Sequence, residues 1–227
     1  MGLSDWRTID VEWTDGEVSL SDKYSVSGNY SITLSKGHDV LLIHKKYWGD
    51  IPEMAIAFWV TIEPNDKYEG VCFGPIIQYY WGVCGHHFRL FFVDMGLDPG
   101  NKIQFADIHY YEHNIPFIYN PWKRTWCEYV WHEEIIDITD DLKNIIGEKW
   151  YPGHWVLYVF KTNGSHLSVY ISELIEKPNP KEIPHLYKVV DNIYVTWYDR
   201  IDGHKGLHIG SSKPYFIYVD NYKIYDP

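Results

Sequence analysis

The segment Phe216-Ile217-Tyr218-Val219-Asp220-Asn221-Tyr222-Lys223-Ile224-Tyr225 decides the architecture. Read as an extended strand, it sets Phe216, Tyr218, Asp220, Tyr222 and Ile224 on one face against Ile217, Val219, Asn221, Lys223 and Tyr225 on the other, because successive side chains alternate. Neither face is purely apolar, and Asp220 stands in an otherwise aromatic row, where a carboxylate needs a compensating partner.

The same alternation, bounded by Gly, Pro, Asn or Asp, recurs along the chain and marks half-buried strands. It predicts strands at residues 17–20, 30–34, 40–44, 54–62, 76–81, 88–94, 102–110, 126–132, 154–162, 167–171, 192–198, 206–210 and 216–225. With so many strands and no alternating helices, the expected class is all-β: two stacked antiparallel sheets with one short helix. That helix is predicted over 139–147, where Thr139 would cap the N-terminus, acids fill the first turn and Gly147 stops it. Three prolines make 176–184 a long surface loop. Asn163-Gly164 reads as a tight hairpin turn.

Of the 227 residues, 45% are hydrophobic and 18% aromatic, enough to bury a core without metals or disulfides. Sandwiches of about 200–250 residues form one unit, so residues 1–227 are read as a single domain. A net charge of −11 repels phosphate backbones and anionic lipids, which argues against nucleic acid as a partner. No run approaches the roughly 18 apolar residues of a membrane helix, so membrane insertion is not expected, and Met1-Gly2-Leu3-Ser4-Asp5-Trp6 does not read as a signal peptide. Cys72, Cys84 and Cys127 allow at most one bridge. Cys72 and Cys84 flank Gly74, Pro75 and Gly82, where a hairpin would bring them together; small buried thiols fit the residues as well.

Several further segments, in order, resemble the concanavalin A-like jelly-roll superfamily in its laminin-G-like and carbohydrate-binding-module forms. They are Tyr24-Ser25-Val26-Ser27-Gly28-Asn29-Tyr30-Ser31-Ile32-Thr33-Leu34, Ala55-Ile56-Ala57-Phe58-Trp59-Val60, Trp155-Val156-Leu157-Tyr158-Val159 with Gly164-Ser165-His166-Leu167-Ser168-Val169-Tyr170-Ile171, and Leu207-His208-Ile209-Gly210 before the closing strand. The resemblance implies a two-sheet jelly-roll sandwich. It also implies one structural calcium ion, ligated by Asp220 with oxygens from the N-terminal segment. There Asp10, Glu12, Asp15 and Glu17 offer the hard oxygens calcium prefers; a hydrogen-bonded Asp220 without calcium is the competing expectation.

Most of the 12 histidines do not form a recognisable site. His109 and His113 have i, i+4 spacing, but the stretch reads as a strand end and loop, where that spacing does not converge. His86 and His87 point to opposite faces of an extended chain. His132-Glu133-Glu134 reads as a solvated run, and Ile135-Ile136 as core. Glycosidases of the resembled fold present two carboxylates on one face, about 5–5.5 Å apart for retention, and Glu133, Glu134 and Asp137 do not show that alternation. Catalysis is therefore not expected. The tripeptides Asn29-Tyr30-Ser31 and Asn163-Gly164-Ser165 match the glycosylation acceptor pattern, which is common by chance.

The surplus lies in the aromatics: 11 Trp and 20 Tyr exceed what one core needs. Tyr79-Tyr80-Trp81, Trp122, Trp126 and Trp131 are the candidate ligand-binding rings, flat enough to stack on sugars while nearby polar groups read hydroxyls. The same rings would anchor a protein interface. The leading function is a non-catalytic recognition module for a glycan or cell-surface ligand, at an extracellular or virion surface. The alternatives are a self-associating structural subunit of a virion or surface assembly, and a polysaccharide lyase or glycoside hydrolase whose His, Tyr and Arg residues converge on one sheet.

Overall fold

The structure, a computed structural model, describes residues 3–9, 14–48, 53–64, 70–81, 87–116, 130–163, 165–195 and 203–225. In chain order the elements are β1 (Trp6–Ile9), β2 (Glu17–Ser21), β3 (Ser31–Lys36), β4 (Asp39–Trp48), β5 (Glu53–Ile62), β6 (Val71–Trp81), β7 (His87–Asp98), β8 (Phe105–Pro116), β9 (Val130–Asp137), α1 (Thr139–Ile146), β10 (Val156–Asn163), β11 (His166–Ser172), β12 (Leu186–Tyr194), β13 (His204–Ser211) and β14 (Ile217–Tyr225). They form two seven-stranded antiparallel sheets, ordered β1-β4-β13-β6-β7-β8-β9 and β12-β11-β10-β5-β14-β3-β2. This is a jelly-roll sandwich, as the sequence and its resemblance imply. Among the described residues no helix is long and apolar enough to cross a membrane.

The core lies between the sheets and follows the pleat. On β7, Phe91, Val93, Met95 and Leu97 point inward, and on β8 Ala106, Ile108 and Tyr110 do the same. They meet Ile56, Phe58 and Val60 of β5, with Tyr158 and Phe160 of β10, from the facing sheet. The rings interlock, Phe58 stacking on Phe160 at 5.7 Å and Phe73 meeting Tyr158 edge-on at 4.8 Å. Alternation then dictates that the residues between these turn to the outer face: Leu90, Phe92 and Asp94 on β7, and Phe105, Asp107, His109 and Tyr111 on β8.

Several boundaries differ from those predicted. β6 begins at Val71, not 76, and runs through Gly74 and Pro75. A side chain at Gly74 would collide with the Val93 carbonyl on β7, so this glycine permits close strand contact instead of ending the strand. β12 occupies Leu186–Tyr194, upstream of the predicted 192–198, and Asn192 bends it with φ 51°. β1 was not foreseen. Thr139 does not cap α1 with its hydroxyl: Ile138 holds the N-cap position, the Thr139 N–H donates to Asp137 Oδ1 at 2.9 Å, and Thr139 Oγ1 bonds the Ala106 backbone. Residues 176–184 lie between β11 and β12 outside any strand, as expected.

Candidate functional site

The outer face of the first sheet carries a cleft of about 650 Å³. Its residues come from strands distant in sequence and adjacent in the sheet: Asp39 at the start of β4, Cys72 on β6, Phe92 and Asp94 on β7, Asp107, His109 and Tyr111 on β8, and His208 on β13. Topology does the gathering, because β13 inserts between β4 and β6.

One half of the floor is a buried ionic cluster. His208 is buried, with Nδ1 2.7 Å from both oxygens of Asp94 and Nε2 3.1 Å from Asp39 Oδ1. Burial alone would push this imidazole toward neutrality, but the Asp94 charge and the hydrogen bonds to Asp39 and Asp94 prevail and lift its pKa to about 10. Cys72 Sγ lies 3.6 Å from Asp39 Oδ1. Burial, with the nearby charges of Asp94 and Asp39, pushes its thiol well up. Asp39, Cys72 and His208 thus bring one oxygen, one sulfur and one nitrogen within 4.8 Å of one another, the donor set among the described residues that could hold a metal.

The other half is the run Asp107-Ile108-His109-Tyr110-Tyr111, whose odd members share the outer face. Asp107 Oδ2 pairs with His109 Nε2, and His109 Nδ1 is 2.8 Å from the Tyr111 hydroxyl and 3.3 Å from Glu133 Oε1 on β9. Asp107 is buried, and desolvation raises its carboxyl above the usual range against the opposing pull of His109. Its other oxygen, Oδ1, is buried with no hydrogen-bond partner among the described residues. Beside it, half-buried Tyr111 stacks flat on the buried Phe92 at 4.6 Å and 20°, and Phe105 stands 45% exposed. Burial drives the Tyr111 phenol strongly up, with neighbouring carboxylates adding to the effect.

No protein-family model matches the chain, and no curated protein matches its sequence. Solved structures similar to it include the carbohydrate-binding module CBM66 from Bacillus subtilis, at 8% identity over 97% of this chain and 94% of that one, with a TM-score of 0.44. A galectin-like-fold protein of unknown function from the same organism is 9% identical over 99% and 90%, with a TM-score of 0.49. A family 16 glycoside hydrolase endo-glucanase from Bacteroides ovatus is 13% identical over 99% and 96%, with a TM-score of 0.47.

The candidate rings read from the sequence have varied locations. Tyr79 lies on the same outer face as the cleft, half-buried against Ile9, Leu41, Ile43, Ile76, Leu90 and Phe92. Tyr80 and Trp81 belong to β6 and Trp131 to β9, two residues before Glu133. Trp122, Trp126 and Cys84 lie outside the described residues, as do Asp10 and Glu12.

The three acids expected around calcium have separate partners. Asp220 is buried and accepts hydrogen bonds from the amides of Val26 (2.8 Å), Ser27 (2.9 Å) and Asn221 (2.6 Å). Glu17 pairs with Lys36 Nζ at 2.8 Å. Asp15 accepts from the His38 amide at 2.7 Å and meets the His38 ring at 3.0 Å, which together bring its carboxyl down to about 2. Strand register sets Asp220 beside Ser31, five positions from Lys36, or about 17 Å along the strand.

Two expectations need correcting. His109 is not at a strand end but inside β8, opposite Asp94, where Asp107 and Tyr111 of the same strand and Glu133 of β9 reach it. Ile135 and Ile136 are not both core: Ile136 packs on the core while Ile135 faces out, 55% exposed, which puts Glu133 and Asp137 on the outer face as well. The i, i+2, i+4 pattern Asp107-His109-Tyr111 was the signal in the sequence that would have found this half of the site.

Proposed function

We infer that the protein binds a neutral oligosaccharide in the cleft on the outer face of its first sheet. The observation that carries this reading is the aromatic lining of the cleft, where half-buried Tyr111 stacks flat on Phe92 and Phe105 stands exposed near the carboxylates of Asp94 and Asp107. A sugar supplies both complements: hydroxyls for the acidic lining of the cleft and an apolar ring face for its aromatic rings. The cleft contains Asp39, Asp94, Asp98 and Asp107, with neither Lys nor Arg among its described lining residues. An anionic glycan would be repelled, and a neutral one would not.

Glycoside hydrolysis is the second reading, favoured by Asp107 itself, whose raised carboxyl and contact with His109 suit a proton donor. A lyase reading lacks a comparable basis, since its anionic substrate would meet this acidic floor. The experiment is an array of neutral and anionic glycans, with light scattering for solution mass and a reducing-end assay on every glycan bound. Binding of neutral glycans without new reducing ends supports the binding module. New reducing ends that vanish in Asp107→Asn support the hydrolase. No binding overturns both.

A further inference from the structure

We propose that Asp39, Cys72 and His208 form a binding site for a zinc-class divalent ion, with Asp94 as the outer carboxylate that orients the histidine. The inference is independent of what occupies the rest of the cleft.

Three features of the geometry support it. First, a tetrahedral zinc with bonds of about 2.0 Å to N or O and 2.3 Å to S separates its ligand atoms by about 3.3 Å for O and N and about 3.6 Å for O and S. Here Asp39 Oδ1 is 3.1 Å from His208 Nε2 and 3.6 Å from Cys72 Sγ. Two of the three ligand spacings thus match the edges of such a tetrahedron, and all three donor atoms lie within 4.8 Å of one another.

Second, His208 is held as a metal-binding imidazole is held. Asp94 faces Nδ1 through both oxygens at 2.7 Å, which holds a proton on that nitrogen, and Nε2 is aimed at Asp39, so a metal that displaces the Nε2 proton meets a lone pair already directed at the site. Third, Gly210 on β13 keeps the space open: a Cβ there would collide with both Asp39 Oδ1 and Cys72 Sγ. All three proposed ligands line the cleft, so the fourth coordination position faces it. One thiolate, one imidazole and one carboxylate form a borderline-soft set, which selects zinc over calcium or magnesium. A dication also neutralises the negative charge that Asp39 and a Cys72 thiolate would bring together.

The test uses the full chain, stripped with chelator and titrated with cobalt(II), then with zinc in competition with a chelating indicator. The expected result is one bound cobalt with a thiolate-to-cobalt charge-transfer band and the intense visible absorption of tetrahedral coordination. The band should persist in the Cys84→Ser/Cys127→Ser protein and disappear in Cys72→Ser, a near-isosteric change whose fold is checked by near-ultraviolet circular dichroism. Asp94→Asn should weaken zinc binding about 10- to 100-fold. Absence of the band in the parent protein, its survival in Cys72→Ser, or unchanged zinc affinity in both His208→Gln and Asp94→Asn would overturn the assignment.

Discussion

Asp94 and His208, 114 residues apart in the chain, face each other across the outer side of the first sheet with His208 Nδ1 2.7 Å from both Asp94 oxygens. Both side chains are nearly inaccessible to water. Removing one member of such a pair leaves an uncompensated buried charge, which costs about 3–5 kcal/mol, whereas removing both costs less than the sum. Asp94→Ala should therefore lower urea stability by about 3–5 kcal/mol in the presence of chelator, and Asp94→Ala/His208→Ala should recover part of the loss. Strictly additive losses in that double-mutant cycle would mean that the two residues are not energetically coupled.

On the outer face of the second sheet, Tyr24 and Tyr218 meet edge-on at 5.1 Å. Burial, then the hydrogen bond and charge of Glu63, raises the Tyr24 phenol to about 12; burial, then the Glu63 charge, raises Tyr218 to about 12. Below the unfolded value, near 10, folded and unfolded chains carry the same protons and these residues give no pH dependence. Between 10 and 12 the unfolded chain releases protons that the folded one retains, so stability falls as pH rises. The urea midpoint should drop across that interval, and Glu63→Gln should shift phenolate absorbance to lower pH. A flat stability profile from pH 10 to 12 would contradict the burial of these phenols.

Asp220 joins the closing strand to the 22–29 turn region through the amides of Val26 and Ser27. Hydrogen bonds to a buried charged acceptor contribute about 1.5–3 kcal/mol each. Asp220→Ala loses at least these two bonds and should destabilise the protein by about 3–6 kcal/mol and accelerate hydrogen exchange at Val26 and Ser27. Because both Asp220 oxygens already accept protein amides, the melting temperature of the metal-stripped protein should not rise when calcium is added. A calcium-dependent rise that disappears in Asp220→Ala would restore the ion implied by the family resemblance.

The strands were legible because period-2 alternation is a local property: β5 and β14 appear within one residue of their predicted bounds. Failures fell where a long-range contact reassigns a residue's local meaning. Gly74 reads as a breaker until β7 approaches it, and Asn192 bends β12 in a way no neighbouring residue announces. The cleft was harder to read. Asp39 and His208 are 169 positions apart and become neighbours only because β13 pairs with β4. Asp107, His109 and Tyr111 were visible together, but the stretch reads as a strand end with a following loop unless β7 and β9 are known to extend beside it.

The cleft's two surfaces make separable contributions to ligand binding. Tyr111→Ala removes a ring from the Phe92 stack and should weaken a neutral oligosaccharide by about 1–3 kcal/mol, by analogy with the loss of a buried aliphatic or aromatic face. Tyr111→Phe keeps the ring and should bind nearly as well as the parent, while breaking the 2.8 Å contact with His109. Asp107→Asn removes the negative charge but retains an oxygen acceptor, so neutral-glycan affinity should change little and discrimination against anionic glycans should relax. The control is ionic strength: neutral-glycan binding should be insensitive to salt, because no charge is brought to the acidic floor, whereas residual anionic-glycan binding should strengthen as added salt screens the repulsion. If Tyr111→Phe loses binding as fully as Tyr111→Ala, the hydroxyl contacts the ligand or holds His109 for it, and the flat ring is not what the sugar meets.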